Sequence, residues 1–121
     1  MPNPVIHFEI GAKNGKSAID FYGKLFDWKI EVDQKMNYGM VSQQGSGIGG
    51  GVYQTKDGVP PHVTFYVKVD DLQKYLDKAV KLGGIVTLPP TQISPEIGWC
   101  AMFTDPDGNS IGLFKVEMRE S

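Results

Sequence analysis

The order of the apolar runs repeats once along this chain of 121 residues, and the repeat limits the folds that the chain can adopt. A first module, about residues 4–54, has a strand, a helix and three further strands, and a second module, about residues 61–116, has the same order. The first strand of each module alternates apolar and polar side chains, from Val5 to Ile10 and from His62 to Val69. We therefore predict a single domain, residues 1–121, of the α+β class with two βαβββ modules.

Each module contains one amphipathic helix. The first is predicted to begin at Ser17 and to end near Phe26, and the second to be capped by Asp70 or Asp71 and to stop at Gly83. In both helices the apolar residues follow the i, i+3, i+4, i+7 spacing of one buried stripe. The first stripe is Ala18, Phe21, Tyr22 and Leu25, and the second is Leu72, Tyr75, Leu76 and Ala79.

The last two strands are predicted to form a hairpin from Trp99 to Phe114. Its turn, Asp105-Pro106-Asp107-Gly108-Asn109, combines a proline that fixes φ with a glycine that tolerates a positive φ. A shorter strand, Ile85 to Leu88, precedes it, and Pro89 to Gly98 is predicted to be a loop. The three strands that follow the first helix are predicted at Trp28 to Val32, Tyr38 to Ser42 and Ile48 to Tyr53.

Strand alternation separates an apolar face from a polar face. The apolar side chains of the first and fifth strands, such as Phe8 and Phe65, have only the two helical stripes to pack against. The helices should therefore cover the outer face of a curved mixed sheet. The polar side chains would then converge on the opposite, concave face, which is a plausible small-molecule site. These side chains are His7, Glu9, His62, Thr64 and Tyr66.

Charge and composition exclude several classes of function. The chain has 12 basic and 14 acidic residues and a net charge of −2, which does not suit a nucleic-acid-binding surface. It has no signal-peptide pattern and no apolar run near the ~18 residues of a membrane span. A lone cysteine, Cys100, cannot form an internal disulfide. A cytoplasmic protein is the expectation, with no nucleic-acid or membrane partner.

The combination of these motifs resembles the vicinal oxygen chelate superfamily, which includes glyoxalases, bleomycin-resistance proteins and extradiol dioxygenases. The resemblance covers nearly the whole chain. It rests on the duplicated module, the helix segment Phe21 to Trp28, His62 at the start of a strand that runs into Asp70, and the Asp105 to Asn109 turn. It implies a homodimer and a small-molecule ligand.

The resemblance also implies where a metal would bind. Metal-using members place ligands on the first, fourth, fifth and eighth strands, and the matching first and fifth positions here are His7 and His62. The fourth-strand position falls within Gly49 to Gly51, and the eighth-strand position, usually Glu, is Gly112. The resemblance therefore implies a degenerate site, with no cofactor or with a weakly bound divalent metal. Glu9 is a candidate substitute ligand, because it shares a strand face with His7.

Two functions remain open from the sequence. The first is a small-molecule-binding protein without a catalytic metal, with Thr64, Tyr66, Trp99, Met102 and Phe114 as candidate ligand contacts. The second is a lyase, isomerase or dioxygenase acting on a small oxygenated substrate. In the enzyme hypothesis His7, His62 and Glu9 either hold a metal or act as general acid and base. A true glyoxalase I is disfavoured, because that enzyme depends on the missing carboxylates.

Each of these residues also has a structural alternative. The two histidines can be hydrogen-bonded strand residues, and Glu9 can be solvated or paired with a lysine. The larger side chains can be ordinary core rather than cavity wall. Those concerned are Trp28, Tyr38, Tyr66, Trp99, Met102 and Phe114.

Overall fold

The computed structural model describes residues 2–35 and 37–116. The elements in chain order are β1 (Val5–Ala12), α1 (Gly15–Phe26), β2 (Ile30–Asp33), β3 (Tyr38–Val41), β4 (Gly49–Gln54), β5 (His62–Lys68), α2 (Leu72–Lys81), β6 (Ile85–Ser94), β7 (Gly98–Thr104) and β8 (Ser110–Val116). The order of elements confirms the two predicted βαβββ modules and the α+β class.

The chain forms two compact units with the same internal topology. One unit contains residues 6–64, and the other contains 65–116 together with residues 2–5 among those described. In the first unit β1 pairs in parallel with β4, and β4, β3 and β2 pair antiparallel in that order. In the second unit β5 pairs in parallel with β8, and β8, β7 and β6 pair antiparallel. Each module therefore makes the mixed sheet that its sequence pattern predicts.

Helix α1 begins two residues before the predicted start at Ser17. Asn14 is the N-cap, and its side chain accepts a hydrogen bond of 3.0 Å from the main-chain nitrogen of Ser17. An Asn at this position satisfies one of the main-chain donors that a helix leaves unpaired at its start. Ser17 therefore lies in the first turn and not at the boundary. The helix ends at Phe26, as predicted.

The buried side of α1 is rotated from the predicted stripe. Phe21 is 59% exposed and Leu25 is 57% exposed, so half of that stripe faces solvent. The half-buried Ile19 packs against the sheet instead, and its Cδ1 approaches the backbone of Gly39 on β3. Gly39 has no side chain and so leaves room for Ile19, which is why the helix turns this side towards the sheet.

The aromatic cluster of the first unit lies on the helix side of the sheet. Phe8 on β1 contacts Trp28 with ring centroids 5.3 Å apart, and Tyr22 and Phe26 of α1 also contact the Trp28 ring. Trp28 is therefore part of this packing cluster. Val52, fully buried on β4, belongs to the core of the same unit.

The core of the second unit confirms the predicted stripe of α2. Asp71, rather than Asp70, is the N-cap and accepts from the main-chain nitrogen of Lys74 at 3.1 Å. The helix ends at Lys81, and Gly83 follows with φ of 103°. The buried cluster consists of Val69, Leu72, Leu76, Ala101 and Leu113.

Strand β6 corrects the predicted loop from Pro89 to Gly98. The strand continues to Ser94 and pairs with β7 through Thr91 opposite Cys100. The register shifts between Leu88 and Thr91, where Pro89 and Pro90 supply no main-chain N–H. Proline is tolerated there because β6 is the last strand in the order, and an edge strand can leave one side of its ladder unpaired.

The predicted burial of the apolar face of β5 is also wrong at its start. Val63 is 73% exposed and Phe65 is 38% exposed. The main contacts of α1 fall on β4 and those of α2 on β6, β7 and β8, so β5 is not among the strands that either helix mainly packs against.

The predicted hairpin between β7 and β8 is confirmed. The Asp105 carboxylate accepts from the main-chain nitrogens of Asp107 and Asn109, each at 2.9 Å, and from Nδ2 of Asn109 at 2.9 Å. Gly108 has φ of 92° and so supplies the positive φ that the turn needs. Among residues 2–35 and 37–116, neither helix has the length and apolar character needed to span a bilayer.

Candidate functional site

The candidate site begins with three positions on one face of β1, namely His7, Glu9 and Gly11. The parallel register sets these positions beside Gly49, Gly51 and Tyr53 of β4. Glycine occupies two of the three β4 positions, so space remains above the sheet at those points. The space above Gly49 and Gly51 determines which side chains of neighbouring strands can reach His7 and Glu9 on β1.

The side chain of Tyr38 on β3 occupies this space. Tyr38 pairs across the strands with Tyr53, but its ring lies over the backbone of Gly51. A Cβ at position 51 would overlap the Tyr38 hydroxyl, so only glycine permits this path. The hydroxyl thereby reaches across β4 to β1, where it lies 2.9 Å from Nε2 of His7 and 3.0 Å from Oε2 of Glu9.

The protons of this cluster have a defined order. The Tyr38 hydroxyl donates its proton to Glu9, and it can therefore only accept from His7. Nε2 of His7 thus carries a hydrogen and donates it to Tyr38. Burial lowers the pKa of His7 below its usual value of 6.5, which favours the neutral imidazole at physiological pH. The result is two consecutive hydrogen bonds, in which His7 donates to Tyr38 and Tyr38 donates to the Glu9 carboxylate.

A second histidine and tyrosine pair lies in the same unit. Nδ1 of His62 is 3.1 Å from the carbonyl oxygen of Pro60, and Nε2 is 2.7 Å from the hydroxyl of Tyr53. A carbonyl oxygen can only accept, so Nδ1 carries a hydrogen, and in the neutral ring Nε2 must accept from Tyr53. The main chain at Pro60 therefore leaves the second nitrogen of His62 as a base.

The two pairs meet through their tyrosines. The rings of Tyr38 and Tyr53 are stacked with centroids 5.9 Å apart and planes 22° apart. Burial, and secondly the negative charge of Glu9, raise the pKa of Tyr53 above its usual value of 10.0. Tyr53 therefore keeps its proton at neutral pH and remains a donor to His62. We call these five side chains the paired cluster: His7, Glu9, Tyr38, Tyr53 and His62.

Gly11 makes room for the second pair. A Cβ at this position would lie 2.7 Å from Cε1 of His62 and 3.0 Å from its Nε2. Real Cβ atoms do not approach other heavy atoms so closely, so the imidazole rests directly on the main chain of β1. Glycine at position 11 is thus a requirement for the observed position of His62.

The remaining sequence-predicted site residues are divided between the two units. Thr64 is in the first unit with the paired cluster and is 4% exposed. Tyr66, Met102 and Phe114 are in the second unit, where Tyr66 and Met102 flank Gly112 in register. Trp99 lies on the opposite face of β7 from Met102 and packs against the core cluster of that unit. Cys100 is paired with Phe114 and shares its strand face.

Gly112, where the family resemblance implies a glutamate, is covered by an aromatic ring. A Cβ at this position would overlap the ring of Tyr66. Gly112 is buried, and Tyr66 is its direct neighbour in the parallel register of β5 and β8. The second unit therefore repeats the arrangement of Gly51 and Tyr38, in which a tyrosine occupies the space above a strand glycine.

Among residues 2–35 and 37–116, the donor side chains do not match the metal-ligand set that the family resemblance implies. Within the described ranges, no three side chains of His, Cys, Asp or Glu converge closely enough to hold one ion. The Nε2 atoms of His7 and His62 both bond to tyrosine hydroxyls, and the two glycine positions offer no side-chain ligand. Catalytic zinc sites usually have three protein ligands, which this arrangement does not provide.

Sequence reasoning missed the part that the tyrosines play. The sequence pattern predicts Tyr53 only as a strand residue, and Tyr38 only as part of a cavity wall or core. A signal was present in the alternation of β4, where two glycines precede a tyrosine on the face that also carries the histidines. The direction of Tyr38, however, depends on the cross-strand register, which the sequence alone does not give.

Comparison with known proteins gives one family match and several structural neighbours. The model of the Glyoxalase/Bleomycin resistance protein/Dioxygenase superfamily matches residues 5–113. A protein of Mycobacterium bovis named as a glyoxylase, CFP32, is 29% identical over an alignment of 107 residues that covers 83% of this chain. The match covers 41% of CFP32, so this chain spans about two fifths of the length of that relative.

Two solved structures share the fold at low sequence identity. Methylmalonyl-CoA epimerase from Mycobacterium tuberculosis has a TM-score of 0.66 and 14% identity, over 93% of this chain and 87% of that one. The Mn(II)-bound glyoxalase from Novosphingobium aromaticivorans has a TM-score of 0.65 and 15% identity, over 99% of this chain and 44% of that one.

Proposed function

Because the chain belongs to the Glyoxalase/Bleomycin resistance protein/Dioxygenase superfamily, we propose that it is a small-molecule-binding protein whose ligand is held by the paired cluster without a protein-bound metal. One observation carries this proposal: the Tyr38 hydroxyl lies between Nε2 of His7 and Oε2 of Glu9. The Tyr38 hydroxyl thus lies next to His7 and Glu9. In the metal-using relatives, we expect the corresponding side chains to point towards a metal ion.

The paired cluster offers both donors and acceptors to a ligand. His7 and Tyr38 donate, while Glu9 and Nε2 of His62 accept. A small oxygenated molecule can exchange its own hydroxyl and carbonyl groups for the bonds within the cluster, so the polar groups of the site stay satisfied. The proposed site therefore suits a ligand with neighbouring oxygen atoms, as the family resemblance implies.

A thermal-shift screen of small hydroxy and keto acids tests the proposal. A ligand should raise the melting temperature of the wild type, and Tyr38→Phe should abolish most of that shift, because it removes the bridging hydroxyl and keeps the ring. Tyr75→Phe, on helix α2 in the other unit, is the matched control and should keep the shift. A shift of equal size in Tyr38→Phe would contradict binding at the paired cluster.

Metal content tests the metal-independent part of the proposal. The purified protein is dialysed against trace divalent ions and measured by elemental mass spectrometry beside a His7→Ala, His62→Ala double variant. We expect no metal difference between the two proteins. Near-stoichiometric metal in the wild type alone would contradict the proposal and favour a metal-dependent lyase, isomerase or dioxygenase.

A second candidate function is proton transfer, and the position of His62 favours it. Nε2 of His62 is an acceptor fixed by the Pro60 carbonyl, so it can take a proton from a carbon next to a substrate carbonyl. The Tyr53 hydroxyl, released from Nε2, then donates a hydrogen bond to the enolate oxygen while keeping its own proton, and His62 returns the abstracted proton to carbon. Exchange of a substrate C–H in deuterated water, lost in His62→Gln, would distinguish this isomerase from a binding protein.

The cellular location, the oligomeric state and the other ligand contacts predicted from the sequence are also proposals. We propose a cytoplasmic homodimer in which Thr64, Tyr66, Met102 and Phe114 contribute to ligand contacts. Trp99 is left out, because it packs against the core cluster of the second unit. Sedimentation equilibrium tests the dimer, and single alanine variants in the same thermal-shift screen test the contacts. A monomer at all protein concentrations would contradict the proposed homodimer.

A further inference from the structure

A groove of about 560 Å³ lies in the first unit, beside the paired cluster. Its walls come from the end of β1, the first turns of α1 and the segment that leads into β5. The side chains that matter for its chemistry are Ile10, Lys13, Phe21, Tyr22, His62 and Val63. A groove of this volume is within the range of small-molecule sites.

The walls of the groove are apolar and unusually open to solvent. Phe21 is 59% exposed and Val63 is 73% exposed, although both are large apolar side chains. They lie on different elements and face the same groove, so their exposure is concentrated at one place. Contiguous exposed apolar surface of this kind marks a binding site more often than an ordinary surface.

The charge of the groove selects the ligand. Lys13 brings a positive charge to the rim, and among the described residues that line the groove there is no carboxylate. An acidic group on a ligand would therefore meet a cation and no repelling anion. His62 closes the other end, and its Nε2 also belongs to the paired cluster. One molecule can thus lie in the groove and reach the cluster.

We propose that this groove binds the apolar body of an amphipathic organic anion, with its acidic group beside Lys13 and its second polar end at His62. This assignment rests on the proposed function, because His62 is shared, and it names the class of ligand. The occupant is an acid with a flat aromatic or branched alkyl body that also carries oxygen atoms for the paired cluster. The groove supplies apolar contact, and the paired cluster supplies hydrogen bonds.

Two fluorescent probes with the same skeleton test the two parts of the ligand separately. 8-Anilinonaphthalene-1-sulfonate carries an anionic group, and N-phenyl-1-naphthylamine lacks it. Phe21→Ala should weaken both probes about tenfold, because it removes apolar contact. Lys13→Gln should weaken only the sulfonate, by about threefold at low salt, because the groove rim is solvent-exposed.

Matched controls come from helix α1, which also carries Phe21. Leu25→Ala removes an equally exposed apolar side chain outside the groove, and Lys24→Gln removes a charge outside it. Both controls should keep the affinity of each probe within about twofold. Val63→Glu provides an independent variant at an exposed strand position and should weaken the sulfonate more than the neutral probe. Circular dichroism confirms that each variant folds.

Several results would overturn the assignment. Equal losses in Phe21→Ala and Leu25→Ala would mean that the probes bind apolar surface in general. Unchanged probe binding in Phe21→Ala with an altered sedimentation coefficient would mean that a second copy covers this face. Tyr38→Phe separates the two proposals: if it leaves thermal shifts intact while the groove variants lose probe binding, the paired cluster proposal fails and the groove stands.

Discussion

The ring of Tyr38 lies across the backbone of Gly51, in the space that any other residue at position 51 would fill with its own Cβ. Because of this relationship, a side chain on β3 passes over β4 and bonds to β1. The polar network of the first unit therefore depends on a residue that has no side chain.

Gly51→Ala should destabilise the fold and break the network at the same time. The added methyl group displaces the Tyr38 ring, and overpacking of this kind costs about 1–3 kcal/mol. Urea denaturation measures the loss. Gly23→Ala in helix α1 is the matched control, because its Cβ would meet only ordinary contacts of 3.6 and 3.8 Å. That control should instead gain about 0.5–1 kcal/mol from helix propensity. Equal effects of the two substitutions would contradict the overlap.

The same overlap between Gly112 and Tyr66 can be measured by a double-mutant cycle. Gly112→Ala alone should cost about 1–3 kcal/mol of the free energy of unfolding, because the new Cβ meets the Tyr66 ring. In a Tyr66→Ala background the same substitution should cost much less, since the ring is gone. A coupling energy above about 0.5 kcal/mol is expected for residues in contact. Additive effects would mean that the ring moves aside without cost.

Stability should fall as pH is lowered from about 6.5, because burial lowers the pKa of His7 in the fold. Between that lowered pKa and the ~6.5 of the unfolded chain, the unfolded state binds a proton that the native state does not. The stabilising contribution is therefore complete above ~6.5 and is lost as pH falls through the native pKa. Urea midpoints across this pH range measure it. His7→Gln should remove this part of the slope, and an unchanged slope would contradict the assignment to His7.

Glu9→Gln should lower the pKa of Tyr53. The carboxylate of Glu9 is the second cause of the raised value, after burial, and the substitution removes its charge. Tyrosinate absorbance during alkaline titration measures the shift, with Tyr53→Phe identifying the Tyr53 component among the five tyrosines. Part of the elevation should remain, because burial is unchanged. The same titration curve in Glu9→Gln and the wild type would contradict the electrostatic contribution.

The sequence predicts the order of helices and strands well, whereas the contacts within the paired cluster do not follow from it. Side-chain alternation in β1 and the stripe of α2 follow from local periodicity, so the sequence predicts that His7 and Glu9 share a strand face and that Leu76 is buried. The orientation of α1 depends on the approach of Ile19 to Gly39, which is a contact between distant parts of the chain. The extension of β6 likewise depends on its pairing with β7 and not on its own composition. Tertiary contacts of this kind leave no local periodic signal.

The bond from Nδ1 of His62 to the Pro60 carbonyl joins residues only two positions apart and uses a main-chain acceptor. Because the acceptor is a main-chain oxygen, it remains when the side chain at position 60 is replaced, provided that the loop between β4 and β5 keeps its conformation. The local chain thus sets which nitrogen of the neutral imidazole carries the hydrogen, whereas Gly11 and Tyr53 determine where the ring lies. Substitutions at Tyr53 or in the groove can then change what the ring meets without changing which nitrogen is the base. A library that randomises those neighbours would therefore vary the surroundings of the ring, while every member keeps the same nitrogen as the acceptor of the neutral imidazole.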